Sequence, residues 1–361
     1  MIEVTGKKAT VVGFARSGEA VTELLLKKGA KVFVSEIKDD EVIRKKLESM
    51  GVEYELGGHT ERLLEADLIV VSPGVELKGE ILGELAKGIV PVYGEIEIAS
   101  WFCRGEIIAV TGTNGKSTTA TLIYRTLKRL GYDCFLAGNI GFPFSQITDS
   151  VNSNSLVVLE LSSFQLETIQ SFTPYISVIL NLAPDHLDRY STAEEYYEAK
   201  LRIWMNQNEE NFTVLKRDDP ILFNYSPRCY ARQLWFATSF WDYPGAYISD
   251  KRLVVRKMSG ETVEIMPVSE LKILGLHNQL NVAATLSSLI PFDVDWDNVR
   301  QVLREFKPLE HRMEFVRELR GVKFYNDSKA TNVHSTISAL KCFDKPVILL
   351  LGGYEKNLDL A

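Results

Sequence analysis

The sequence predicts an α/β protein of three consecutive domains, with boundaries expected at residues 1–97, 98–307 and 308–361. The length of 361 residues exceeds one ordinary domain, because domains average roughly 150 residues. Short apolar runs alternate with helical patterns along most of the chain, which is typical of buried parallel strands joined by helices. With 45% apolar and 25% charged residues, the composition is that of a folded, soluble chain.

The first predicted domain alternates strands and helices from its start. Apolar runs predict strands at residues 9–13, 31–35 and 67–72, and the spacing of apolar residues predicts helices at 17–28 and about 39–50. That order is typical of a Rossmann-like parallel sheet with covering helices.

The central predicted domain opens on a strand at 106–111, which runs through a glycine-rich turn into a helix at 116–130. This unit indicates a P-loop type of domain with a mostly parallel sheet. Residues 212–268 predict hairpins, and the turn at 258–260 separates the last two strands. Those two strands are expected at 247–255 and 261–266, and two other strands at 155–160 and 176–181. The remaining helices are expected at about 279–289 and 296–305.

The third predicted domain combines a strand at 322–326, a helix at about 332–341 and a strand at 346–351. This β–α–β order predicts a second Rossmann-like sheet. Its roughly 50 residues fall short of a complete α/β domain, so we expect this domain to be incomplete in the sequence.

Charge and cysteine content exclude several classes of protein. A net charge of −7 argues against a nucleic-acid coat, which needs a basic face. The four cysteines lie far apart, without a CxxC pair, which argues against a disulfide framework or a structural zinc site. No signal-peptide pattern opens the chain, and no apolar run approaches the ~18 residues of a membrane helix. We expect a cytoplasmic monomer without nucleic-acid binding or membrane insertion.

The sharpest motif is Thr111-Gly-Thr-Asn-Gly-Lys-Ser-Thr118, between the strand at 106–111 and the following helix. Backbone N–H groups of such a turn bind phosphate oxygens. Lys116 would neutralise the β- and γ-phosphates, and the Ser117 hydroxyl is a candidate Mg²⁺ ligand. The motif departs from the strict P-loop pattern, because Val110 stands in place of the first glycine. The alternative is a plain glycine turn at the start of a helix.

A weaker phosphate turn, Gly13-Phe-Ala-Arg-Ser-Gly18, lies in the first domain. It is similar to the dinucleotide fingerprint GxGxxG, but Ala15 replaces the middle glycine that lets a pyrophosphate approach the backbone. Glu36 ends the second strand, where an acidic residue would meet a ribose hydroxyl. A nucleotide-sugar diphosphate beside Arg16 and the Ser17 amide, an NAD, and a ligand-free helix start all remain open.

A third group of polar residues follows the later strands of the central domain. Glu160 ends one apolar strand, and Asp185, His186 and Asp188 follow the next, so parallel strands would bring them to one sheet edge. Lys200 lies in a helical segment, where a solvated lysine is the simpler interpretation. An ammonium group cannot bind Mg²⁺, so a metal role for Lys200 requires conversion of its amine to an anion.

Three further polar clusters, at residues 275–281, 310–313 and 326–332, lie at element boundaries and are either caps and turns or functional. Four of the five histidines lie in or near the polar clusters of this chain, which favours function; they are His186, His277, His311 and His334.

Taken in this order, the motifs resemble the Mur ligase family of ATP-dependent enzymes that form amide bonds. The phosphate loop alone is shared with folylpolyglutamate synthases. The segments 160–167, 181–190 and 326–332 are similar to the branch of the family that adds D-glutamate. The resemblance implies ATP, UDP-N-acetylmuramoyl-L-alanine and D-glutamate as substrates, an acyl-phosphate intermediate, and a cytoplasmic step of peptidoglycan precursor synthesis.

The resemblance also implies roles for individual residues. The residues expected to be catalytic are Lys116, Glu160, His186 and Lys200. Ser117 and Glu160 would bind one Mg²⁺, and His186 and an N-carbamylated Lys200 would bind a second. The residues expected at ATP are Gly112, Thr113, Asn114, Gly115, Lys116, Ser117, Thr118, Asn278, Asn281, Arg312 and Asp327. The residues expected at the other substrates are Ala15, Arg16, Ser17, Glu36, Ile37, Lys38, Ser72, Pro73, Gly74, Asn139, Ser162, Gln165, Lys329, Thr331 and Lys356.

The resemblance places the grip on the D-glutamate side chain near the end of the third domain, which is not in this sequence. Selection of glutamate is therefore not expected from any residue present. The competing interpretations are another Mur or folylpolyglutamate type of ligase, a non-catalytic nucleotide-sugar-binding protein, and a dehydrogenase.

Overall fold

The structure, a computed structural model, describes residues 3–85 and 87–353 of the chain. It comprises two compact units, each made of two stretches of sequence. The first unit contains Met1–Glu106 and Phe135–Thr173, and the second contains Ile107–Cys134 and Pro174–Ala361.

Strands and helices alternate along most of the chain, as predicted. The strands are β1 (Lys8–Val12), β2 (Lys31–Glu36), β3 (Glu53–Leu56), β4 (Leu68–Val71), β5 (Val92–Gly94), β6 (Glu106–Thr111), β7 (Cys134–Gly138), β8 (Leu156–Glu160), β9 (Ile176–Ile179), β10 (Phe212–Lys216), β11 (Arg232–Ala237), β12 (Gly245–Ser249), β13 (Arg252–Arg256), β14 (Thr262–Pro267), β15 (Glu314–Leu319) and β16 (Val322–Asn326). The α-helices are α1 (Arg16–Lys27), α2 (Glu41–Met50), α3 (Glu80–Leu85), α4 (Glu95–Phe102), α5 (Lys116–Arg129), α6 (Phe144–Ile147), α7 (Ser163–Leu166), α8 (Ala193–Leu201), α9 (Pro220–Tyr225), α10 (Leu276–Leu289), α11 (Trp296–Glu305) and α12 (Val333–Leu340).

The first unit contains a parallel sheet in the order β3-β2-β1-β4-β5. This is the Rossmann-like order, in which β1 lies between β2 and β4 and the chain crosses over after β3. Side chains of β1 and β4, among them Val12, Ile69 and Val71, are buried in one cluster with Leu63 and Leu85. The carboxyl ends of β1, β2 and β4 therefore lie side by side, which is where such sheets bind ligands.

The second unit contains a run of strands in the order β14-β13-β12-β11-β10-β9-β6. Strands β6, β9, β10, β11 and β12 are parallel, and only β12, β13 and β14 pair antiparallel. Helix α10 packs on α5 and on β10, β11 and β12. Its apolar residues Val282, Leu286 and Leu289 are fully buried there, which fixes its position beside the turn between β6 and α5.

The predicted hairpins across 212–268 are therefore wrong in part. Strands β10 and β11 are parallel because helix α9 carries the chain back between them. The predicted single strand 247–255 is two strands, since Asp250 and Lys251 adopt positive φ values of 48° and 61° and reverse the chain. The predicted turn at 258–260 does separate β13 from β14.

The predicted strand at 346–351 is also not found. Those residues pair with no strand, and the side chains of Ile348 and Leu350 are 90% and 93% exposed. An apolar run becomes a buried strand only where neighbouring strands and a helix cover it. Strands β15 and β16 instead pair with each other as an antiparallel hairpin.

Several short elements of the first unit were not predicted; they are β3, α3, β5, α4, β7, α6 and α7. Across residues 3–85 and 87–353, no helix is long and apolar enough to cross a membrane. All four cysteines are free thiols.

Candidate functional site

The turn between β6 and α5, residues 112–115, requires glycine at two positions. Gly112 has φ of 145°, and a Cβ there would lie 3.0 Å from the Leu180 Cβ. Gly115 has φ of 88°, and a Cβ there would lie 2.3 Å from the Asn281 Oδ1. Positive φ and close approach together explain why the sequence has glycine at both places.

The segment that follows β9 fixes this turn. Asn181 Oδ1 accepts the Asn114 backbone N–H at 2.9 Å, and Asn181 Nδ2 donates to the Asn114 carbonyl at 2.9 Å. The Thr113 hydroxyl donates to the Ala183 carbonyl at 3.1 Å and accepts the Ala183 N–H at 3.0 Å. Four hydrogen bonds thus fix the backbone of this turn, which favours a preorganised phosphate site.

Lys116 and Ser117 begin helix α5, as predicted. Lys116 Nζ donates to the carbonyls of Gly112 and Thr113, both at 2.9 Å, so its ammonium lies directly over the turn. Ser117 Oγ accepts a hydrogen bond from Arg312 Nη2 at 2.9 Å. A guanidinium and a lysine therefore lie at the N-terminus of α5, a combination that binds anions.

A cavity opens beside this turn. The predicted ATP residues Asn114, Gly115, Thr118, Asn278, Asn281, Arg312 and Asp327 line it. Residues that the sequence did not single out for ATP also line the cavity: Leu180, Asn181, Lys216, Phe236, Ile273, His277, Leu280, Pro308, Leu309, Met313, Ser335, Ser338 and Ala339.

A strained turn orients Arg312. His311 and Met313, on either side of it, have φ values of 63° and 47°, which non-glycine residues rarely adopt. The Met313 N–H donates to Asp327 Oδ1 at 2.9 Å. Burial raises the pKa of Asp327, although this hydrogen bond and the charge of Arg312 oppose the shift. The turn brings an arginine and a carboxylate to the cavity wall together.

Asp185 and His186 follow β9 in the same unit. Asp185 is buried, its Oδ1 accepts the His186 N–H at 2.9 Å, and His186 has φ of 55°. The His186 carbonyl accepts the N–H groups of Arg189 and Tyr190 at 2.9 and 3.0 Å. The histidine therefore lies in a turn whose backbone is fully determined by its neighbours.

Lys200 is buried, not solvated. Its side chain in α8 is 1% exposed, and Nζ lies 4.5 Å from the centre of the Tyr196 ring. The Tyr196 ring also packs 6.0 Å from the His186 ring, measured between centres. Tyr196 connects the two residues, and burial raises its pKa. The solvated interpretation of Lys200 is therefore wrong, because an α8 face that carries a lysine packs into the interior.

In the first unit, the turn after β1 is held by side chains from neighbouring strands. Gly13 has φ of 86°, and Ser72 Oγ donates to its carbonyl at 2.8 Å. Glu36 is buried and accepts the N–H groups of Phe14 at 2.6 Å and Lys38 at 2.9 Å. Glu36 therefore closes the turn at the ends of β1 and β2, where the sequence predicts a ribose contact.

Glu160 ends β8 with one carboxylate oxygen satisfied and one not. Asn139 Nδ2 donates to Oε1 at 2.8 Å, and the Asn139 N–H donates to the Glu160 carbonyl at 2.8 Å. Oε2 is buried and has no hydrogen-bond partner. An unsatisfied buried carboxylate oxygen is costly unless a cation occupies it, so Glu160 fits a Mg²⁺ ligand. Among the residues that the structure describes, no group of three or more His, Cys, Asp or Glu could hold a metal ion.

Two predicted substrate residues have a local structural role. The Ser162 side chain accepts the Gln165 N–H at 3.3 Å, and Gln165 Oε1 accepts the Ser162 N–H at 3.0 Å. This reciprocal pair is the capping box of α7. Arg16 donates from α1 to the Gly141 carbonyl, just beyond Asn139.

The remaining predicted substrate residues are mostly exposed. Ala15, Ile37, Lys38 and Gly74 are exposed at the strand ends of the first unit, and Ser17 and Pro73 are half-buried there. Lys329 and Thr331 are exposed between β16 and α12, and Lys329 lines the cavity. Lys356 lies outside the described residues.

Comparison with known proteins identifies the family. The model of the Mur ligase middle domain matches residues 110–289, and that of the MurD N-terminal domain matches residues 8–81. The UDP-N-acetylmuramoylalanine–D-glutamate ligase of Koribacter versatilis is 41% identical over 360 residues, covering 99% of this chain and 79% of that protein. The chain belongs to the Mur ligase family.

One further relative agrees with this assignment, and one solved structure is similar in fold. The ligase of the same name from Lachnoclostridium phytofermentans is 40% identical over 363 residues, covering 98% of this Mur ligase and 79% of that protein. The structure of UDP-N-acetylmuramate-alanine ligase from Thermotoga maritima is similar in fold, with a TM-score of 0.54 and 21% identity. That match covers 93% of this chain and 77% of that one.

Several contacts of this Mur ligase were not predicted from its sequence. Four side chains bind the turn at residues 112–115, here called the phosphate turn, or its neighbours. They are those of Asn181, Asp185, Asn332 and Ser335. The available signal was their position, since Asn181 and Asp185 follow a strand and Asn332 precedes a helix. Capping and turn formation explain such positions equally well, so the pattern alone does not predict which groups these side chains contact.

Proposed function

We propose that this Mur ligase joins D-glutamate to UDP-N-acetylmuramoyl-L-alanine at the expense of ATP. The observation that carries the proposal is the turn at 112–117, where Lys116 and Ser117 begin a helix, Arg312 binds Ser117, and Asn114, Gly115 and Arg312 line one cavity. The relatives that match almost the whole chain carry the name of this ligase. We also propose that it works as a cytoplasmic monomer.

The reaction needs an activated acid, because a carboxylate does not expel oxide when an amine attacks it. The alanyl carboxylate oxygen takes the γ-phosphoryl group of ATP, ADP leaves, and an acyl phosphate results. The D-glutamate amine then attacks the acyl carbon. The C–N bond forms, the C–O bond to phosphate breaks, the amine loses a proton, and phosphate departs.

The residues of the second unit suit phosphoryl transfer. Lys116 and the N–H groups at the start of α5 bind the β- and γ-phosphates, and Arg312 brings a second positive charge to the start of the same helix. Asn278 and Asn281 on α10 line the cavity where the base of ATP is expected, and Asp327 and Lys329 also line it. Each group stabilises negative charge on a transferring or leaving phosphate, or orients the nucleotide.

Mg²⁺, when bound, supplies charge neutralisation for the phosphates and stabilises the charge that spreads over them during transfer. We propose Ser117 and Glu160 as ligands of one ion, and His186 and an N-carbamylated Lys200 as ligands of a second. The orphaned Glu160 Oε2 and the burial of Lys200 support these assignments.

The residues of the first unit suit the nucleotide-sugar substrate. The turn closed by Glu36 and Ser72 presents the N-terminus of α1, with Arg16 and Ser17 in its first turn, to a diphosphate. The segments that follow β1, β2 and β4 carry the other expected contacts beside that turn, which are Ala15, Ile37, Lys38, Pro73 and Gly74. We propose that this turn binds the UDP group and that Asn139, Ser162 and Gln165 contact the sugar or its alanine.

The test is phosphate release from ATP, measured with both other substrates and with each omitted. We expect release only when UDP-N-acetylmuramoyl-L-alanine and D-glutamate are present together. Lys116→Ala is expected to lower the rate on the order of 10²-fold or more, with the melting temperature unchanged. Lys128→Ala, on the same helix but half-exposed, is the matched control and should retain activity.

Other results would indicate the alternatives. Equal release without D-glutamate would contradict the ligase assignment, and turnover with a folate acceptor would indicate a folylpolyglutamate type of ligase. Binding of the nucleotide sugar with no ADP formed would indicate a non-catalytic binding protein. Reduction of NAD would indicate a dehydrogenase.

A further inference from the structure

Asn332, directly before α12, makes contacts far beyond its own helix. Its Oδ1 accepts the Ser335 N–H at 2.8 Å, which is an ordinary helix cap. Its Nδ2 donates to Asp185 Oδ2 at 3.0 Å and to Asn114 Oδ1 at 3.3 Å. Asn332 is 8% exposed, so these contacts replace water that the amide has lost.

A second side chain of α12 reaches the same phosphate turn. Ser335 Oγ donates to Asn114 Oδ1 at 2.6 Å, so the Asn114 amide oxygen accepts donors from both Asn332 and Ser335. The Asn114 backbone is itself fixed by Asn181. We name the four residues Asn114, Asp185, Asn332 and Ser335 the α12 interlock.

The α12 interlock connects three segments that are distant in sequence. Asp185 is 4% exposed, and its two oxygens accept the His186 N–H and the Asn332 amide. Loss of the Asn332 amide would leave the buried Asp185 Oδ2 without this hydrogen bond. The turn around His186 would then have to move to give that oxygen a new partner. A helix cap alone needs only the Asn332 oxygen, so the amide has a separate role.

We propose that Asn332 is a positioning residue. It holds the phosphate turn (residues 112–115) and the turn around His186 in a fixed position relative to the segment that carries Asp327 and Lys329. This inference rests on the proposed function. Phosphoryl transfer depends on such alignment, because misplacement by about 1 Å costs on the order of 10²-fold in rate. Asn332 touches neither nucleotide nor metal in this role.

The first test separates the amide from the cap. Asn332→Ser keeps a capping oxygen and removes the amide donor. We expect kcat to fall on the order of 10- to 100-fold, the Kd for MgADP by calorimetry to rise several-fold, and the folded fraction to stay unchanged. The matched control is Asn298→Ser, which removes an amide-to-carboxylate bond of 2.8 Å to Asp295 at the start of α11 and should change none of these values.

The second test exchanges the partners. Asn332→Asp places a carboxylate against Asp185 and should be the least active variant. The double variant Asn332→Asp with Asp185→Asn restores one amide facing one carboxylate, so we expect it to regain at least tenfold in kcat over Asn332→Asp alone.

Wild-type kcat and Kd in Asn332→Ser, or no gain from the exchange, would overturn the inference. If the wild type itself makes no amide product, the proposed function fails. The MgADP affinities then still decide the α12 interlock, because they need no ligation.

Discussion

The buried lysine of α8 is the strongest single-residue clue to unusual chemistry. Lys200 is 1% exposed, and a buried ammonium loses hydration that only strong partners replace. A lysine amine in its neutral form reacts with CO₂ to give a carbamate anion. A carbamate supplies oxygens for a cation that the amine itself lacks.

We therefore predict that Lys200 is carbamylated in the folded protein. After equilibration with ¹³C-bicarbonate, the wild type should show one carbamate carbonyl resonance by NMR, and Lys200→Ala should lack it. The exposed Lys251→Ala variant is the control and should keep the resonance. A spectrum of the wild type without the signal would contradict the assignment.

Gly115 is the residue on which the phosphate turn depends most. We predict that Gly115→Ala lowers stability by about 1–3 kcal/mol, because φ of 88° is unfavourable for alanine and the methyl group would lie 2.3 Å from Asn281 Oδ1. Loss of ATP binding should accompany it. Urea unfolding and nucleotide titration measure the two effects, and Gly131→Ala, with φ of 89° but open space around it, separates strain from collision.

At the residue scale, sequence reasoning succeeded where the chemistry is local. Lys116 and Ser117 were predicted at the start of a helix after a glycine turn, and the structure places them there, because strand, turn and helix are contiguous. The Arg312–Ser117 bond joins residues 195 positions apart, which no local pattern encodes. The burial of Lys200 depends likewise on what packs against α8.

At the scale of elements, the parallel course of β10 and β11 shows why pattern alone misled. Short apolar runs occur in hairpins and in buried parallel strands alike. The deciding feature is helix α9, which is only six residues long and begins at Pro220. A crossover helix this short shows little helical spacing of its apolar residues in the sequence. The strands on either side of it therefore resemble the two strands of a hairpin.

Helix α4 carries two buried glutamates in opposite circumstances. Glu97 accepts hydrogen bonds from Trp101 Nε1 and from the N–H groups of Gln170, Ser171 and Phe172 at 2.9–3.0 Å. Burial alone would raise the pKa of Glu97, but these donors and the Ser171 hydroxyl outweigh it and lower the pKa. Glu95 Oε1 accepts the Ser145 N–H and hydroxyl, its Oε2 is unsatisfied, and burial raises the pKa of Glu95 although these donors oppose the shift.

The same substitution should therefore act oppositely at the two sites. Glu97→Gln is expected to destabilise at pH 7.5 by about 2–3 kcal/mol, since an amide cannot accept on both sides. Glu95→Gln should be neutral or stabilising there, because it removes a buried charge. Urea unfolding at pH 7.5 measures both, and equal losses would contradict the distinction.

The pH dependence has opposite signs as well. A lowered folded pKa means that the contribution of Glu97 is present above the ordinary glutamate pKa of ~4.3 and is lost as pH falls through the folded value. The raised pKa of Glu95 gives a contribution that is present in acid and is lost as pH rises through the folded value. Stability of Glu97→Gln relative to the wild type should therefore improve towards low pH.

At the scale of the whole molecule, chain order and compact units do not coincide. Residues 107–134 belong to the second unit although segments of the first unit precede and follow them. The sequence predicted the parallel sheets and the glycine turns after β1 and β6 because each is encoded within about 30 residues. The grouping of segments depends on long-range packing, and the three predicted domain boundaries stay a prediction.

The interleaved segments allow each ligand to be assigned to its unit by hydrogen exchange. MgADP alone should slow exchange at residues 111–118 and 276–281, and UDP-N-acetylmuramoyl-L-alanine alone should slow it at 13–18 and 36–38. A ligand at 100 times its Kd stabilises what it binds by about 2.7 kcal/mol, which corresponds to about a hundredfold slower exchange by opening. Because residues 107–134 lie between segments of the first unit, a general tightening of the chain would not reproduce this pattern. Protection of 111–118 by the nucleotide sugar, with none at 13–18, would reverse the proposed assignment of the two turns.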